Sequence, residues 1–358
     1  MKATINNVEL LKALKKVSSV IKKNPVIPVL SSFKLDFEKN KVKVTGTDLE
    51  TTYITTVDCV ADKKFTLLIE SLDLLKICEI ASSPIEISSD EKHIEVNSGK
   101  LKYKLPFIGD TSLYPIEPDV DSDIDIDLDS DFFYHSSKAE LFHSNEILKV
   151  SHNRVGIDIA KDVISIIGVD GMVLYKGVTQ VKNKKDRTFM VPDTFINSCK
   201  LFQDSKLRVG EKYVSAEYND DKVISLLPVD KFVDYKSVLP KDVSFNSLFD
   251  KNEMVLALKS LLVSANEKAK IGVFYFADDK ISMSATDIDF DKTGENEIEA
   301  ENKDLDIKIG LNIEKLLLIL NNINSSKIQM SVTENNKPAY IKPENSDEVF
   351  CMIMTVLI

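Results

Sequence analysis

The segment Lys41-Val42-Lys43-Val44-Thr45-Gly46-Thr47-Asp48-Leu49-Glu50 is an alternating strand that runs into a Gly-Thr-Asp turn, and the chain repeats it twice. Related segments lie at residues 163–171 and 280–289. The turn aspartates are separated by 122 and then 117 residues, and they are Asp48, Asp170 and Asp287. A period sustained in this way is the sequence signature of repeated structural units.

A second marker keeps nearly the same period. The dipeptides Ile69-Glu70, Val191-Pro192 and Leu311-Asn312 each precede an apolar helical segment, and they are separated by 122 and then 120 residues. Two independent markers in phase indicate three similar domains, each within the usual size range of a domain. We therefore predict an N-terminal domain at 1–118, a central domain at 119–242 and a C-terminal domain at 243–358.

Each predicted domain contains two segments with helical spacing of apolar residues and roughly eight alternating segments typical of strands. The predicted helices lie at residues 8–21, 70–81, 137–151, 193–202 with Asp193 as the N-cap, 252–264 and 313–322. This pattern predicts an α+β fold in which the helices pack on one side of antiparallel sheets.

The composition is that of a soluble globular protein, with 43% hydrophobic and 29% charged residues. The net charge of −11 is unevenly placed, because residues 1–118 carry +1 and the remainder of the chain −12. The mean field of such a chain repels phosphate. Any contact with nucleic acid must therefore come from local clusters of basic residues.

One such cluster lies on the first predicted helix and just after it. Its lysines are Lys12, Lys15, Lys16, Lys22 and Lys23. A solvated helix face is the usual meaning of this pattern, but here it is one of the few base-rich segments in an acidic chain. Both interpretations stay open from the pattern alone.

Residues 119–131 contain seven aspartates and no base. Their alternation raises the hypothesis of a metal site, but the glycine and glutamate that an EF-hand loop needs are not in place. We instead predict a linker that enters an edge strand with a charged outward face.

The sequence contains no recognisable catalytic motif, no phosphate-binding glycine loop and no histidine pair at metal-ligand spacing. The three turn aspartates recur once per domain at the same turn, which favours a structural role in Asx turns over a role as acids or ligands. We predict no enzymatic activity, no cofactor and no metal site.

The cysteines and the N-terminal segment indicate the cellular compartment of the protein. Cys59, Cys78, Cys199 and Cys351 show no paired spacing, and we predict that they are buried and reduced. No signal-peptide core opens the chain, and no apolar run approaches 18 residues. We therefore expect a cytoplasmic protein.

Seven segments, in this order, resemble a known family. They are residues 10–14, 27–30, 45–50, 169–171, 232–240, 265–268 and 351–358. The sequence resembles the bacterial DNA polymerase III beta subunits, the processivity sliding clamps, over essentially its whole length. A close phage or mobile-element relative of these clamps would show the same resemblance. The resemblance implies the DNA clamp fold and a head-to-tail homodimer whose six domains form a ring, with helices lining a central hole.

The resemblance also implies two sites. The first is the lining of the hole, which would contact duplex DNA without regard to its sequence. The candidate lining residues are Lys12, Lys15, Lys16, Lys22, Lys23, Asn24, Arg154 and Lys259. The family often has an arginine where Asn24 stands, so this chain has an uncharged side chain at that position.

The second implied site is a groove between domains two and three that accepts a short hydrophobic motif of the polymerase catalytic subunit, the clamp loader and other clamp-binding proteins. Its walls would be Val155, Val169, Gly171, Met172, Val173, Leu174, Val233, Ser237, Val238, Asn312, Lys315, Pro338, Met352, Ile353, Met354 and Thr355. Met172-Val173 and Ser237 replace basic residues common in the family, which predicts a more apolar pocket.

Two other classes of function remain as alternatives. A β-rich DNA-binding or adhesion module would use the threefold repeat as a scaffold without encircling DNA, and its DNA binding would fall steeply with salt. A metal-dependent enzyme would use the 119–131 run and would lose specific Mg2+ or Ca2+ binding on substitution of Asp125 and Asp127.

Overall fold

The computed structural model describes residues 1–23, 25–90, 92–144, 146, 151–200, 202, 204–240 and 243–358. The chain forms two compact units. The first comprises Met1–Phe133, Val181–Lys185 and Val191–Val229, and the second comprises Tyr134–Gln180, Asp186–Met190 and Asp230–Ile358. The division into three domains at 118/119 and 242/243 stays a prediction.

The described residues form six α-helices, two in each predicted domain. They are α1 (Asn7–Val17), α2 (Ser71–Ile80), α3 (Ser130–Ala139), α4 (Asp193–Cys199), α5 (Lys251–Leu261) and α6 (Ile313–Asn321). Side chains cap several N-termini, as when the Asn6 side chain accepts hydrogen bonds from the backbone N–H groups of Val8 and Glu9. Asp250 and Asn312 cap α5 and α6 in the same way.

The predictions for the central domain's helices were partly wrong. The helix predicted at 137–151 overlaps α3 only at residues 137–139, because α3 begins at Ser130, where Asp129 accepts backbone hydrogen bonds, and Phe132, Ser136 and Ala139 form a buried stripe. Residues 145 and 147–150 of that prediction lie outside the described residues. The predicted N-cap Asp193 is the first residue of α4, and Pro192, with an extended backbone, occupies the cap position. That helix ends at Cys199 rather than at residue 202.

The described residues also form 24 strands, eight in each predicted domain. Those of the first are β1 (Lys2–Ile5), β2 (Ser32–Phe37), β3 (Lys41–Thr47), β4 (Thr51–Ala61), β5 (Phe65–Glu70), β6 (Ile85–Ser89), β7 (His93–Ser98) and β8 (Leu101–Pro106). Those of the second are β9 (Ser122–Leu128), β10 (Val155–Ala160), β11 (Val163–Val169), β12 (Val173–Gln180), β13 (Arg187–Val191), β14 (Ser205–Gly210), β15 (Tyr213–Tyr218) and β16 (Asp221–Leu226). Those of the third are β17 (Ser247–Asp250), β18 (Ile271–Ala277), β19 (Lys280–Asp287), β20 (Lys292–Asn302), β21 (Asp306–Asn312), β22 (Lys327–Ser331), β23 (Ala339–Pro343) and β24 (Val349–Ile353).

The first unit contains one antiparallel sheet of 12 strands. Its main path runs β8-β7-β6-β1-β4-β16-β15-β14-β9, and β2, β3 and β5 extend it beside β4. Strand β9 lies at the edge, where Ile124, Ile126 and Leu128 face the core and the intervening aspartates face outward. This confirms the prediction of a charged edge strand in the acidic run.

The second unit contains the other antiparallel sheet, also of 12 strands, in the order β13-β10-β11-β12-β24-β23-β22-β17-β20-β19-β18-β21. Helix α5 packs on β20, and α5 and α6 pack on each other. The two sheets and six helices confirm the predicted α+β class.

The three repeated turns have the geometry predicted for Asx turns. Asp48 Oδ1 accepts the backbone N–H groups of Glu50 and Thr51, and Asp170 Oδ1 accepts those of Met172 and Val173. Asp287 Oδ1 accepts the N–H of Asp289. The aspartates therefore shape the β3–β4, β11–β12 and β19–β20 hairpins, as the repeat predicted.

Candidate functional site

The candidate groove is built on the junction of β12 with β24. Leu174 pairs with Met352 and Val173 with Ile353 across this junction, while Val169 pairs with Leu174 on the other side of β12. Side chains alternate between the two faces of a strand, so Val169, Leu174 and Met352 lie together on one face. The sequence positions furthest apart in this group differ by 183 residues, and only the sheet brings them together.

These residues belong to an apolar cluster that we call the groove cluster. Its buried members are Ile167, Val169, Leu174, Tyr235 and Met352, and its partly buried members are Phe232, Val233, Leu239, Tyr340 and Met354. The structure thus brings together five of the sixteen predicted wall residues: Val169, Leu174, Val233, Met352 and Met354.

The exposed rim contains Gly171, Met172, Ser237 and Val238. Met172 and Val238 expose 39% and 43% of their surface, which is high for apolar side chains beside a core. Backbone hydrogen bonds hold the rim, because Met354 N–H donates to the carbonyl of Met172 at 2.8 Å and Tyr340 Oη donates to that of Val238 at 3.1 Å.

The remaining predicted wall residues surround this cluster without joining it. Val155, Val173 and Ile353 are fully buried in their strands. Asn312 caps α6, and Thr355 Oγ1 donates to the carbonyl of Lys337, beside Pro338. Lys315 forms an ion pair with Asp170 Oδ2, whose other oxygen shapes the turn at Met172.

Sequence reasoning missed five members of the groove cluster: Ile167, Phe232, Tyr235, Leu239 and Tyr340. Ile167 could have been found from its i, i+2 spacing to Val169 on the same strand face. Phe232, Tyr235 and Leu239 lie in the 232–240 segment that carries the resemblance, beside the predicted wall residues Val233 and Val238, so their position in the sequence was a usable signal. No sequence signal singles out Tyr340, which reaches the cluster through strand pairing.

The lysines of the basic segment differ in their neighbours. Lys16 Nζ lies 2.5 Å from Oδ2 of the buried Asp221, and Lys22 Nζ lies 3.1 Å from Oδ2 of Asp48. Lys15 forms an exposed pair with Glu79 at 3.5 Å. Among the described residues, Lys12 and Lys23 have no ion-pair partner, and both are exposed.

The other DNA-binding candidates are more scattered. Arg154 is half-buried immediately before β10, and Lys259 is exposed in the last turn of α5. Asn24 lies outside the described residues.

Three further findings bear on the other hypotheses. Within the described ranges, no group of three or more His, Cys, Asp or Glu residues is placed to hold a metal ion. The cysteines are buried and form no disulfide, as predicted, and burial raises the pKa of Cys78 to about 12. No helix in the described part of the chain is long and apolar enough to cross a membrane.

Comparison with known proteins places this geometry in a class. Over 99% of both chains, the sequence is 20% identical to the beta sliding clamp of Pseudomonas putida, and it is 22% identical to that of Vibrio cholerae over 99% of this chain and 100% of the relative. A DNA polymerase sliding clamp from Pseudomonas aeruginosa superposes with a TM-score of 0.93 at 20% identity, with complete coverage of both chains. The beta subunit from Thermotoga maritima gives 0.91 at 18% identity, covering 100% of this chain and 99% of that one.

The fold is therefore that of the sliding clamps. Family models for the N-terminal and C-terminal domains of the DNA polymerase III beta subunit match residues 1–115 and 236–357. The chain belongs to the DNA polymerase III beta subunit family.

Proposed function

We propose that the chain encircles duplex DNA as a homodimeric ring and tethers the replicative DNA polymerase for processive synthesis, without a catalytic site of its own. The groove cluster carries the proposal, because it is an apolar surface with exposed methionine and valine at its rim, in the region where the resemblance predicted a partner site. Met172, Met352 and Met354 give the surface adaptable, polarizable side chains, which suit a site shared by several partners.

The proposed occupants are short apolar motifs of the polymerase catalytic subunit, the clamp loader and other clamp-binding proteins. They would contact Met354, Val233 and the rim residues Met172 and Val238. We expect the protein to carry out this function in the cytoplasm.

Open strand edges support the homodimer. In the described part of the chain, β8 pairs only with β7, so its other edge is free. The first half of β20 pairs only with β19, since β17 pairs with residues 300–302 at its other end. The corresponding strands are paired within the chain, β4 with β16 and β12 with β24.

The repeats also give the register of the proposed contact between copies. Thr45 and Ser284 both lie three residues before a turn aspartate, and their strand partners are Ile54 and Glu295, so Glu295 corresponds to Ile54. The β7–β8 and β15–β16 hairpins both have two-residue loops, and alignment on these loops puts Lys102 at the position of Lys222. Because Ile54 pairs with Lys222, Glu295 of one copy would pair with Lys102 of the other. Opposite charges directly across a strand pair are favourable.

The faces of the two strands agree with this register. Asn296 donates to Ser260 on α5, so its neighbour Glu295 faces away from the helices. Tyr103 and Leu105 line a shallow pocket with residues of α2, so Lys102 also faces away from them. The two charged side chains would therefore meet on the same face of the joined sheet.

For DNA, the proposal needs only weak contact with the backbone, which a sliding ring requires. Lys12 and Lys23 are the strongest of the candidates because they are exposed and have no described ion-pair partner. Lys15, Lys16, Lys22, Arg154 and Lys259 remain candidates with partners or scattered positions, and Asn24 remains a candidate whose surroundings are not described.

Loading on circular DNA tests the function. The chain would be loaded onto nicked circular DNA with a matched clamp loader and passed through a sizing column at high salt, before and after linearising the circle. We expect co-elution with the circle and loss of co-elution after linearisation. A salt-sensitive association that is the same on circular and linear DNA would instead support a DNA-binding module that does not encircle DNA.

A further inference from the structure

One face of β10 is in contact with residues 232–239, which we call the linker segment. Gly156 and Asp158 lie two residues apart and so share a strand face. A Cβ on Gly156 would lie 2.3 Å from ring carbons of Phe232, so the ring occupies this position only because residue 156 is glycine. The strand and the linker segment therefore fit together at a specific place.

At Asp158, the same face offers a buried carboxylate to three donors. Tyr235 Oη donates to Oδ2 at 2.5 Å, and Lys236 Nζ lies 2.7 Å from the same oxygen. Thr188 Oγ1 donates to Oδ1 at 2.6 Å. Burial acts to raise the pKa of Asp158, but the donors outweigh it and the net pKa is lowered. The carboxylate is therefore ionised at neutral pH, and each oxygen has a partner.

Tyr235 links this carboxylate to the groove. Its ring is a buried member of the groove cluster, while its hydroxyl is bonded to Asp158. Burial, followed by the bond to Asp158, raises the pKa of Tyr235, so the hydroxyl remains a donor. Val233 and Leu239, on either side of Tyr235, are partly buried members of the same cluster.

The first repeat provides an internal comparison. Asp36 lies 122 residues before Asp158, the same interval as between Asp48 and Asp170. It also accepts a hydrogen bond from a threonine, Thr66, at 2.6 Å, but its second partner is Lys34 at 3.4 Å. The corresponding tyrosine, Tyr114, donates to the carbonyls of Ser32 and Thr45 instead. The second repeat therefore ties its tyrosine to its carboxylate, whereas the tyrosine of the first repeat bonds to backbone carbonyls.

We propose that Asp158 is a positioning residue for the partner groove, which holds Tyr235 and Lys236 so that the linker segment keeps the groove in its binding shape. Asp158 does not touch the ligand; it acts through Tyr235. The inference rests on the proposed function, since it concerns the affinity of the same groove for an apolar peptide.

The test compares Asp158→Ala, Tyr235→Phe and the double variant with Asp36→Ala, each as the full-length dimer. The probe is a fluorescein-labelled peptide carrying the clamp-binding motif of the replicative polymerase, and its Kd and dissociation rate are measured where every variant is folded. Loss of a hydrogen bond to a charged group predicts affinity about ten-fold weaker for Asp158→Ala, mostly through faster dissociation. Tyr235→Phe should weaken binding less, and the double variant no more than Asp158→Ala alone.

Asp36→Ala is the matched control, because it removes the corresponding carboxylate and its threonine bond away from the groove. It should lower thermal stability and leave peptide affinity unchanged. Wild-type affinity in both Asp158→Ala and Tyr235→Phe, or equal loss in Asp36→Ala, would overturn the positioning role. If Asp158→Ala does not fold, Tyr235→Phe decides. Failure of the wild-type chain to bind the peptide would instead remove the proposed groove function itself.

Discussion

The three turn aspartates have one role in common and differ in the partner of the carboxylate. Each accepts backbone N–H groups of its own turn. Beyond the turn, Asp48 pairs with Lys22, Asp170 pairs with Lys315, and Asp287 accepts a hydrogen bond from Asn266. The local bond follows from short-range sequence, whereas the second partner depends on which helix or loop packs against the hairpin.

Substitution of Asp170 should separate these two interactions. Asp170→Asn retains an oxygen for the turn and loses only the charge attraction to the partly exposed Lys315, so we expect a loss of less than about 1 kcal/mol in the free energy of unfolding. Asp170→Ala also leaves two N–H groups without their acceptor and should cost about 1–3 kcal/mol. Urea denaturation followed by circular dichroism measures both. Equal losses for the two variants would contradict the turn assignment.

Asp158 predicts a pH dependence of stability. Its pKa in the folded state is lowered, below the value of about 3.9 expected in the unfolded chain. Its stabilising contribution is therefore present above about pH 4 and lost as the pH falls through the folded pKa. The difference in unfolding free energy between wild type and Asp158→Asn should shrink from pH 7 to pH 3 in urea denaturation. If the difference in unfolding free energy stays constant over this range, the ionised carboxylate of Asp158 does not stabilise the folded state.

At the scale of elements, the C-terminal segment after β24 closes one side of the groove. Met354 N–H bonds to Met172, and Val356 forms a bridge with Gly310 at the end of the segment. Leu357 and Ile358 are more exposed and take no part in the groove cluster. The segment therefore divides into a part that contacts the groove and a part that does not.

Deletion of residues 354–358 should abolish peptide binding and leave the dimer intact, because it removes Met354 from the cluster and does not touch β8 or β20. Fluorescence anisotropy measures the first effect and analytical ultracentrifugation the second. Deletion of residues 357–358 alone is the control and should bind peptide normally. Unchanged peptide affinity in the longer deletion would remove the groove assignment.

At the scale of the molecule, closure of the proposed ring would depend on two strand edges that have no partner among the described residues. Strand β8 presents Lys102 and Lys104, and the first half of β20 presents Glu295 and Glu297. Glu297 is already paired with Lys280 at 2.9 Å. Lys102 and Glu295 have no described partner, so they are the pair that the second copy would satisfy.

Charge reversal tests that closure. Glu295→Lys should weaken the dimer by placing like charges across the strand pair, and Lys102→Glu should do the same. The double variant restores opposite charges and should recover most of the wild-type dimer affinity, as measured by sedimentation at low salt. Glu299→Lys, on the same face of β20 beyond the predicted pairing, is the control. Failure of the double variant to recover would show that the register is wrong.

The sequence by itself determined what depends on local order and period. The alternation of 41–50, the phase of Asp48, Asp170 and Asp287, and the acidic alternation of 119–131 gave the α+β class, the turns and the charged edge strand, because side chains at period two must choose between core and solvent. Tertiary structure decided what depends on residues far apart in the chain. It showed that Asp221 and Asp48 pair with Lys16 and Lys22, and that Tyr235 joins Asp158 to the groove cluster. Those contacts join side chains that lie more than 20 and up to about 200 residues apart in the chain, and no local pattern encodes which distant residue a given side chain will meet.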